Sequence, residues 1–155
     1  MASDPSQDDQ KGGGNGGWNV PAPKTQMIVF HGEDDWGENM LKEANSWFAD
    51  QDKDVIIRKI EPRITKGNQY YYLVYITYTT GIKGGGGLNI PAYKTKIKTF
   101  GSEEDWGEKA KDKLNKWLSK SGNNLKVEEI WNIVEVSNNN SLVYFNFVAY
   151  TNDNQ

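Results

Sequence analysis

One stretch of about 70 residues is written twice in this chain, and any fold it adopts has to accommodate two copies of one unit. Gly16-Gly17-Trp18-Asn19-Val20-Pro21-Ala22-Pro23-Lys24-Thr25 returns 70 residues later as Gly86-Gly87-Leu88-Asn89-Ile90-Pro91-Ala92-Tyr93-Lys94-Thr95. At the same offset Phe30 meets Phe100, the acidic run Glu33 to Glu38 meets Glu103 to Glu108, and Asn45 and Trp47 meet Asn115 and Trp117. Two residues are then inserted, after which Tyr72, Tyr75, Ile76 and Tyr78 face Tyr144, Phe147, Val148 and Tyr150. Self-similarity at a fixed period marks one supersecondary unit repeated.

Periodicity gives the elements of each copy. Thr25–Phe30 and Thr95–Phe100 read as short strands, with Met27/Val29 and Ile97/Thr99 on one face. Trp36, Met40, Ala44, Trp47 and Phe48 fall at helical spacing, as do Trp106, Ala110, Leu114, Trp117 and Leu118, giving one buried stripe per copy. The spacing places Trp36 and Trp106 in the first helical turn, with Gly32 or Ser102 as the cap. Two β-rich runs follow in each copy, Val55–Thr65 then Tyr70–Thr79, and Leu125–Val136 then Leu142–Thr151.

The fold class is therefore α+β: a tandem β-α-β-β duplication, its helices on one face of mainly antiparallel sheets that pack or pair with each other. The last strand of each copy is apolar on both sides, so neither face suits water. The two sheets are expected to pack or join edge to edge, with self-association through an apolar sheet face as the other way to cover it. The chain divides into a Gly-rich, disordered tail (1–17), repeat 1 (18–80), a Gly-rich linker (81–87) and repeat 2 (88–152).

Bulk chemistry narrows function. The net charge of −3 leaves no broad phosphate-binding footprint. With no cysteine there is no disulfide, thiolate metal site or cysteine nucleophile, which fits a cytoplasmic protein. No signal-peptide or membrane-spanning run is present, so no membrane partner is expected.

The segment ending in Lys24-Thr25 and Lys94-Thr95 follows glycines but lacks the glycine before lysine, and the helix after it, that a phosphate loop requires. It reads as an inherited arm shaping strand entry, or as an arm aiming Lys24 and Lys94 at an anion. Trp18 faces Leu88 and Trp131 faces Glu61 in the comparison of copies, so neither is demanded by the shared scaffold. Both are candidate contact residues, since large aromatics dominate interface anchors. Tyr71 and Tyr75 lie in a tyrosine-rich strand that could stack single-stranded nucleic acid, although the acidic balance argues against it. Lys94, Lys96 and Lys98 alternate along one strand and read as edge protection. His31, the only histidine, is replaced by Gly101 in the other copy, and no catalytic, metal or dinucleotide pattern is present.

The unit, with Phe30 or Phe100 in its first strand, an acidic helix start, Asn45-x-Trp47-Phe48 or Asn115-x-Trp117-Leu118 late in the helix and an aromatic closing strand, resembles a small family of bacterial sporulation-associated and phage proteins of unknown activity. The resemblance implies a phage or bacterial origin. The strand-helix-strand-strand order is also similar to that of dodecins, flavin-binding assemblies whose stacking Trp lies in the second strand. Trp131 occupies that region here and Glu61 occupies it in the other copy, so no cofactor is expected. Two functions follow as expectations. One is a non-enzymatic binding or assembly protein holding a small anionic ligand or a protein partner, with Trp18, Lys24, Thr25, Lys94, Thr95 and Trp131 as its site. The alternative is a single-stranded nucleic-acid module using Tyr71 and Tyr75.

Overall fold

The computed structural model describes residues 17–137 and 139–153; the rest of the expected tail, 1–16, lies outside the described residues. Repeat 1 runs β1 (Thr25–Glu33), α1 (Glu38–Ala49), β2 (Val55–Lys66) and β3 (Tyr70–Thr80). A two-residue β4 (Ile90–Pro91) precedes repeat 2: β5 (Thr95–Glu103), α2 (Glu108–Lys120), β6 (Leu125–Val136) and β7 (Leu142–Asn152). Each arm ends in a single 3-10 turn, Ala22–Lys24 or Ala92–Lys94.

The strands form two antiparallel sheets, ordered β1-β3-β2-β4 and β5-β7-β6. The closing strand, apolar on both faces, takes the centre of each sheet. The flanking strands run parallel, one strand apart, and the helix bridges them. Registers repeat between copies: Val29 pairs with Tyr75, and Thr99 with Phe147. Both second strands also bulge at the same place, Ile57/Lys59 and Val127/Glu129.

The helix starts differ from expectation. Gly32 and Ser102 lie within strands that run on to Glu33 and Glu103, and Trp36 and Trp106 precede the helices instead of opening them. Both tryptophans hold left-handed backbone, with φ of 59° and 61°. The next residue, Gly37 or Gly107, is also left-handed, a conformation that glycine adopts freely. Asp35 caps α1 by accepting the Gly37 and Asn39 N–H groups, each at 2.9 Å. Asp105 caps α2 in the same way through Gly107 (2.9 Å) and Lys109 (3.0 Å). An aspartate three residues before each helix thus satisfies its orphan donors, and in α2 the expected cap Ser102 accepts one more, the Ala110 N–H at 3.3 Å.

Each helix covers its own sheet through a matching aromatic cluster. Trp47 lies 6.0 Å from Phe30 and 5.0 Å from Tyr78. Trp117 lies 5.9 Å from Phe100 and 5.0 Å from Tyr150. The two units then join helix side to open side. α1 packs on β5, and β2 packs on β6. Ile97, Val143, Phe145, Phe147 and Ala149, on the sheet face away from α2, are buried in this seam. Each large side chain removed from water there contributes about 1.5–3 kcal/mol. Trp36 and Tyr72 contact the Phe145 ring at 5.4 and 5.5 Å. Asn45 caps the outer edge of β5, donating to the Ile97 carbonyl (3.0 Å) and accepting the Ile97 N–H (2.8 Å). A void of about 10 Å³ among Met40, Tyr72, Ile133 and Phe145 is at the lower limit for holding one water.

The linker expected at 81–87 is built around a buried cation. Arg58, the bulge residue of β2, donates Nε to the Thr79 hydroxyl (2.9 Å) and Nη2 to the Gly84 carbonyl (2.7 Å) and the Ile82 carbonyl (3.3 Å). Its Nη1 reaches the Gly86 carbonyl (3.0 Å) and Asn89 Oδ1 (3.3 Å). Gly87 sits on the Arg58 backbone so closely that an added Cβ would lie 2.4 Å from the Arg58 carbonyl oxygen. No carboxylate takes part in these bonds. Burial pushes the guanidinium pKa down from its ordinary value, and carbonyl dipoles replace its hydration shell. Replacing Arg58→Met strands those carbonyls, and we expect a loss of about 3 kcal/mol in urea unfolding free energy. A loss below about 1 kcal/mol would show that the linker does not depend on this clasp.

Candidate functional site

Trp18 and Trp131, the two tryptophans without an aromatic counterpart in the other copy, line the same cleft. It has a volume of about 630 Å³ and lies between β2, the linker and β6. Leu88, Ile60 and Pro62 supply its apolar surface, and Arg63 and Glu129 stand among its polar lining. Trp18 reaches it because the first arm runs along the linker, where the Trp18 carbonyl accepts the Gly86 N–H at 2.8 Å. Val20 packs on Gly85 so tightly that an added Cβ would lie 2.5 Å from Val20 Cγ1. Trp131 is positioned by its strand partner Phe147, whose ring it meets edge-on at 5.7 Å.

The charges of the cleft are partly paired. Glu61 accepts Arg63 at 2.5 Å and lies 3.6 Å from the Lys59 ammonium, both at partly exposed positions. Such pairs are individually weak, so Lys59 and Arg63 stay available to an anion. Glu129 is an exposed residue with no ion-pair partner among the described residues, and partial desolvation at the cleft wall raises its carboxyl pKa above the ordinary value.

The arms' Lys-Thr pairs lie elsewhere. Thr25 donates to the Pro21 carbonyl (2.9 Å), and the buried Thr95 donates to the Pro91 carbonyl (2.6 Å). Both hydroxyls therefore close their own turns. Lys24 is exposed, and Lys94 lies 5.8 Å from the Tyr93 ring centroid. Neither lysine lines the tryptophan cleft. Lys98 rests over the rings of Phe100 (5.6 Å) and Trp117 (6.0 Å), which gives it a packing role beyond edge protection. It also joins Lys109 and Lys113 around a second cleft of about 550 Å³ beside Trp36. Tyr71 and Tyr75 sit half-buried on the open face of the first sheet, on the same face as Met27 and Val29.

Sequence reasoning missed Arg58, Arg63, Leu88 and Glu129. The available signal was Arg58 itself, a lone charge inside the Val55–Ile60 apolar run. No group of three or more His, Cys, Asp or Glu able to hold a metal occurs among the described residues. No helix among them is long and apolar enough to cross a membrane. Comparison with protein families, curated proteins and solved structures finds no match for the chain.

The raised Glu129 pKa has a definite sign. The folded state holds that proton more tightly than the unfolded state, so ionisation costs stability at neutral pH and the cost fades as pH falls through the raised pKa. Glu129→Gln is therefore expected to stabilise the protein at pH 7 but not in acid, as read by thermal melts across that range. A pH-independent difference would show that the carboxyl is not desolvated.

Proposed function

We propose that the protein is a non-enzymatic binding and assembly protein whose ligand site is the Trp18–Trp131 cleft. The observation that carries this reading is the meeting of two repeat-breaking tryptophans in one concave surface that also holds Lys59 and Arg63. A preformed pocket with aromatic walls and a few polar groups is the usual form of a small-ligand site. The chemistry suits a flat, apolar body carrying an anionic group: the indoles offer faces for stacking and the cations offer charge. A bacterial or phage setting, implied by the resemblance of each repeat, is compatible with such a role.

1-Anilinonaphthalene-8-sulfonate, a flat aromatic sulfonate, is a suitable probe. We expect its fluorescence to rise on binding the folded protein, with Trp18→Ala and Trp131→Ala each weakening the affinity about tenfold, a free-energy difference of 1.4 kcal/mol. Equal affinity for both variants and the parent would remove the cleft as the site.

The nucleic-acid alternative rests on Tyr71 and Tyr75. They share their sheet face with Glu33 and Glu61, and Glu61 bridges Lys59 and Arg63 on that same face. Stacking platforms need a continuous basic track along the backbone, and on this face Glu33 and Glu61 interrupt the cations Lys59 and Arg63. An oligothymidylate titration at low salt is expected to give no binding. Saturable binding that weakens in Tyr71→Ala and Tyr75→Ala would reverse the preference.

A further inference from the structure

The seam between the two units is not symmetric, and each unit keeps the half of it that the other has used. Unit 1 presents its helix side to the seam; unit 2 presents its open face and the edge of β5. Among the described residues, the helix side of unit 2 and the open face of unit 1 have no partner. We propose that these two faces join head to tail between copies of this chain, so that unit 2 of one molecule docks on unit 1 of the next through a version of the internal seam.

Equivalent positions in the two units carry the argument. Trp36 is 42% exposed in the seam, and its counterpart Trp106 is 84% exposed. Ile60 on β2 is 3% exposed, and Ile130 on β6 is 39%. Ile97 on the edge strand β5 is 2% exposed, and Met27 on β1 is 64%. Apart from Trp36, every large apolar side chain exposed among the described residues lies on the two unused faces. Met27 and Val29 are on one; Trp106, Val127, Ile130, Val134 and Val136 are on the other. Apolar clusters of this kind mark interaction surfaces.

The polar fittings are repeated too. Asn115 stands on α2 where Asn45 stands on α1, and it is exposed. Docked as in the internal seam, it would cap the β1 edge at Met27 as Asn45 caps β5 at Ile97. That edge needs covering, because β1 carries no lysine, proline or bulge to discourage pairing. The arms follow the same logic. Ile90–Pro91 pairs with Ile56 and Ile57 of β2, burying Ala92. Their counterparts Pro21 and Ala22 are exposed, and the matching β6 edge at Lys126 and Val127 is exposed as well.

Trp106 adds an independent observation. A bulky residue with left-handed φ is strained, and such strain persists where a side chain is required in that place. In unit 1 the strain seats the Trp36 indole on Phe145 and over Gly101, where an added Cβ would lie 2.8 Å from the ring. Unit 2 keeps the same strained tryptophan with its ring in solvent.

Three differences set the strength of the outer seam; the first is that Glu61 and Arg63 stand on the open face of unit 1 where Trp131 and Ile133 stand in the internal seam. His31 stands where Gly101 gives way to the indole, so Trp106 must seat further out. Lys111 replaces Leu41, and Leu41 shares its cleft with Glu103, the counterpart of Glu33. Docked in the same way, Lys111 would share a cleft with Glu33, as Leu41 shares one with Glu103, so a charge pair enters the outer seam and makes it dependent on salt. An interface of two different faces propagates into a ring or an open filament, according to the rotation it imposes.

Sedimentation of the full chain over a wide concentration range tests this. The mass is expected to climb from 17.6 kDa in steps of one chain or more and to fall back in high salt. Met27→Lys spoils the acceptor face and Trp106→Ser or Asn115→Ala the donor face; each variant alone is expected to remain at the monomer mass with an unchanged circular dichroism spectrum. A mixture of Met27→Lys with Trp106→Ser retains one intact donor and one intact acceptor, and it is expected to form a one-to-one pair and nothing larger. A parent chain that is monomeric at its highest soluble concentration overturns the proposal, including the case in which a different protein takes these faces. So does a parent whose assembly survives the single substitutions.

Discussion

A three-stranded sheet whose central strand is apolar on both sides needs two covers, and each repeat encodes one helix. This shortage organises the molecule. α1 is shared: its Trp47 side packs on its own sheet, while Asn45 and the neighbouring Trp36 serve the sheet of the next unit. Tyr72 joins them at the seam, where burial raises its hydroxyl pKa to about 12. One helix closes two sheet faces, and duplication becomes a way of completing a core that a single unit leaves half built.

Sharing in this direction has a price at the ends. A heterologous contact uses different surfaces on its two sides, so two units joined once leave one of each surface over. Capping a stack of this kind requires polar terminal faces, as in other repeat architectures. Here the ends keep Met27, Ile130 and Trp106 exposed. The polar changes that do occur, Lys111 for Leu41 on one end and Glu61 for Trp131 on the other, temper these ends without closing them.

The sequence made the duplication, the fold class and most element boundaries legible, because the helix stripe and the double-faced closing strand have distinct periods and recur in both copies. It also singled out Trp18 and Trp131 by their lack of counterparts, without indicating that one cleft would hold both. What it hid depended on backbone geometry at single residues. Trp36 and Trp106 fit the helical spacing, but left-handed turns hold them outside the helix, and capping by Asp35 and Asp105 follows from that displacement. Similarity between copies also implied similar surroundings, whereas Trp36 is packed and Trp106 is not. Periodicity describes a unit's own faces and is silent on which neighbour meets them.

The Arg58 clasp also bears on shape. A glycine-rich connection is ordinarily a flexible tether, whose ends wander and whose length sets only how far apart two bodies can drift. Here one guanidinium gathers three linker carbonyls and fixes the route of the chain out of repeat 1. The route between the units is therefore held by a single side chain, while the packing of α1 on β5 and of β2 on β6 holds their orientation. Such a connection cannot slacken without first releasing that guanidinium from its carbonyls.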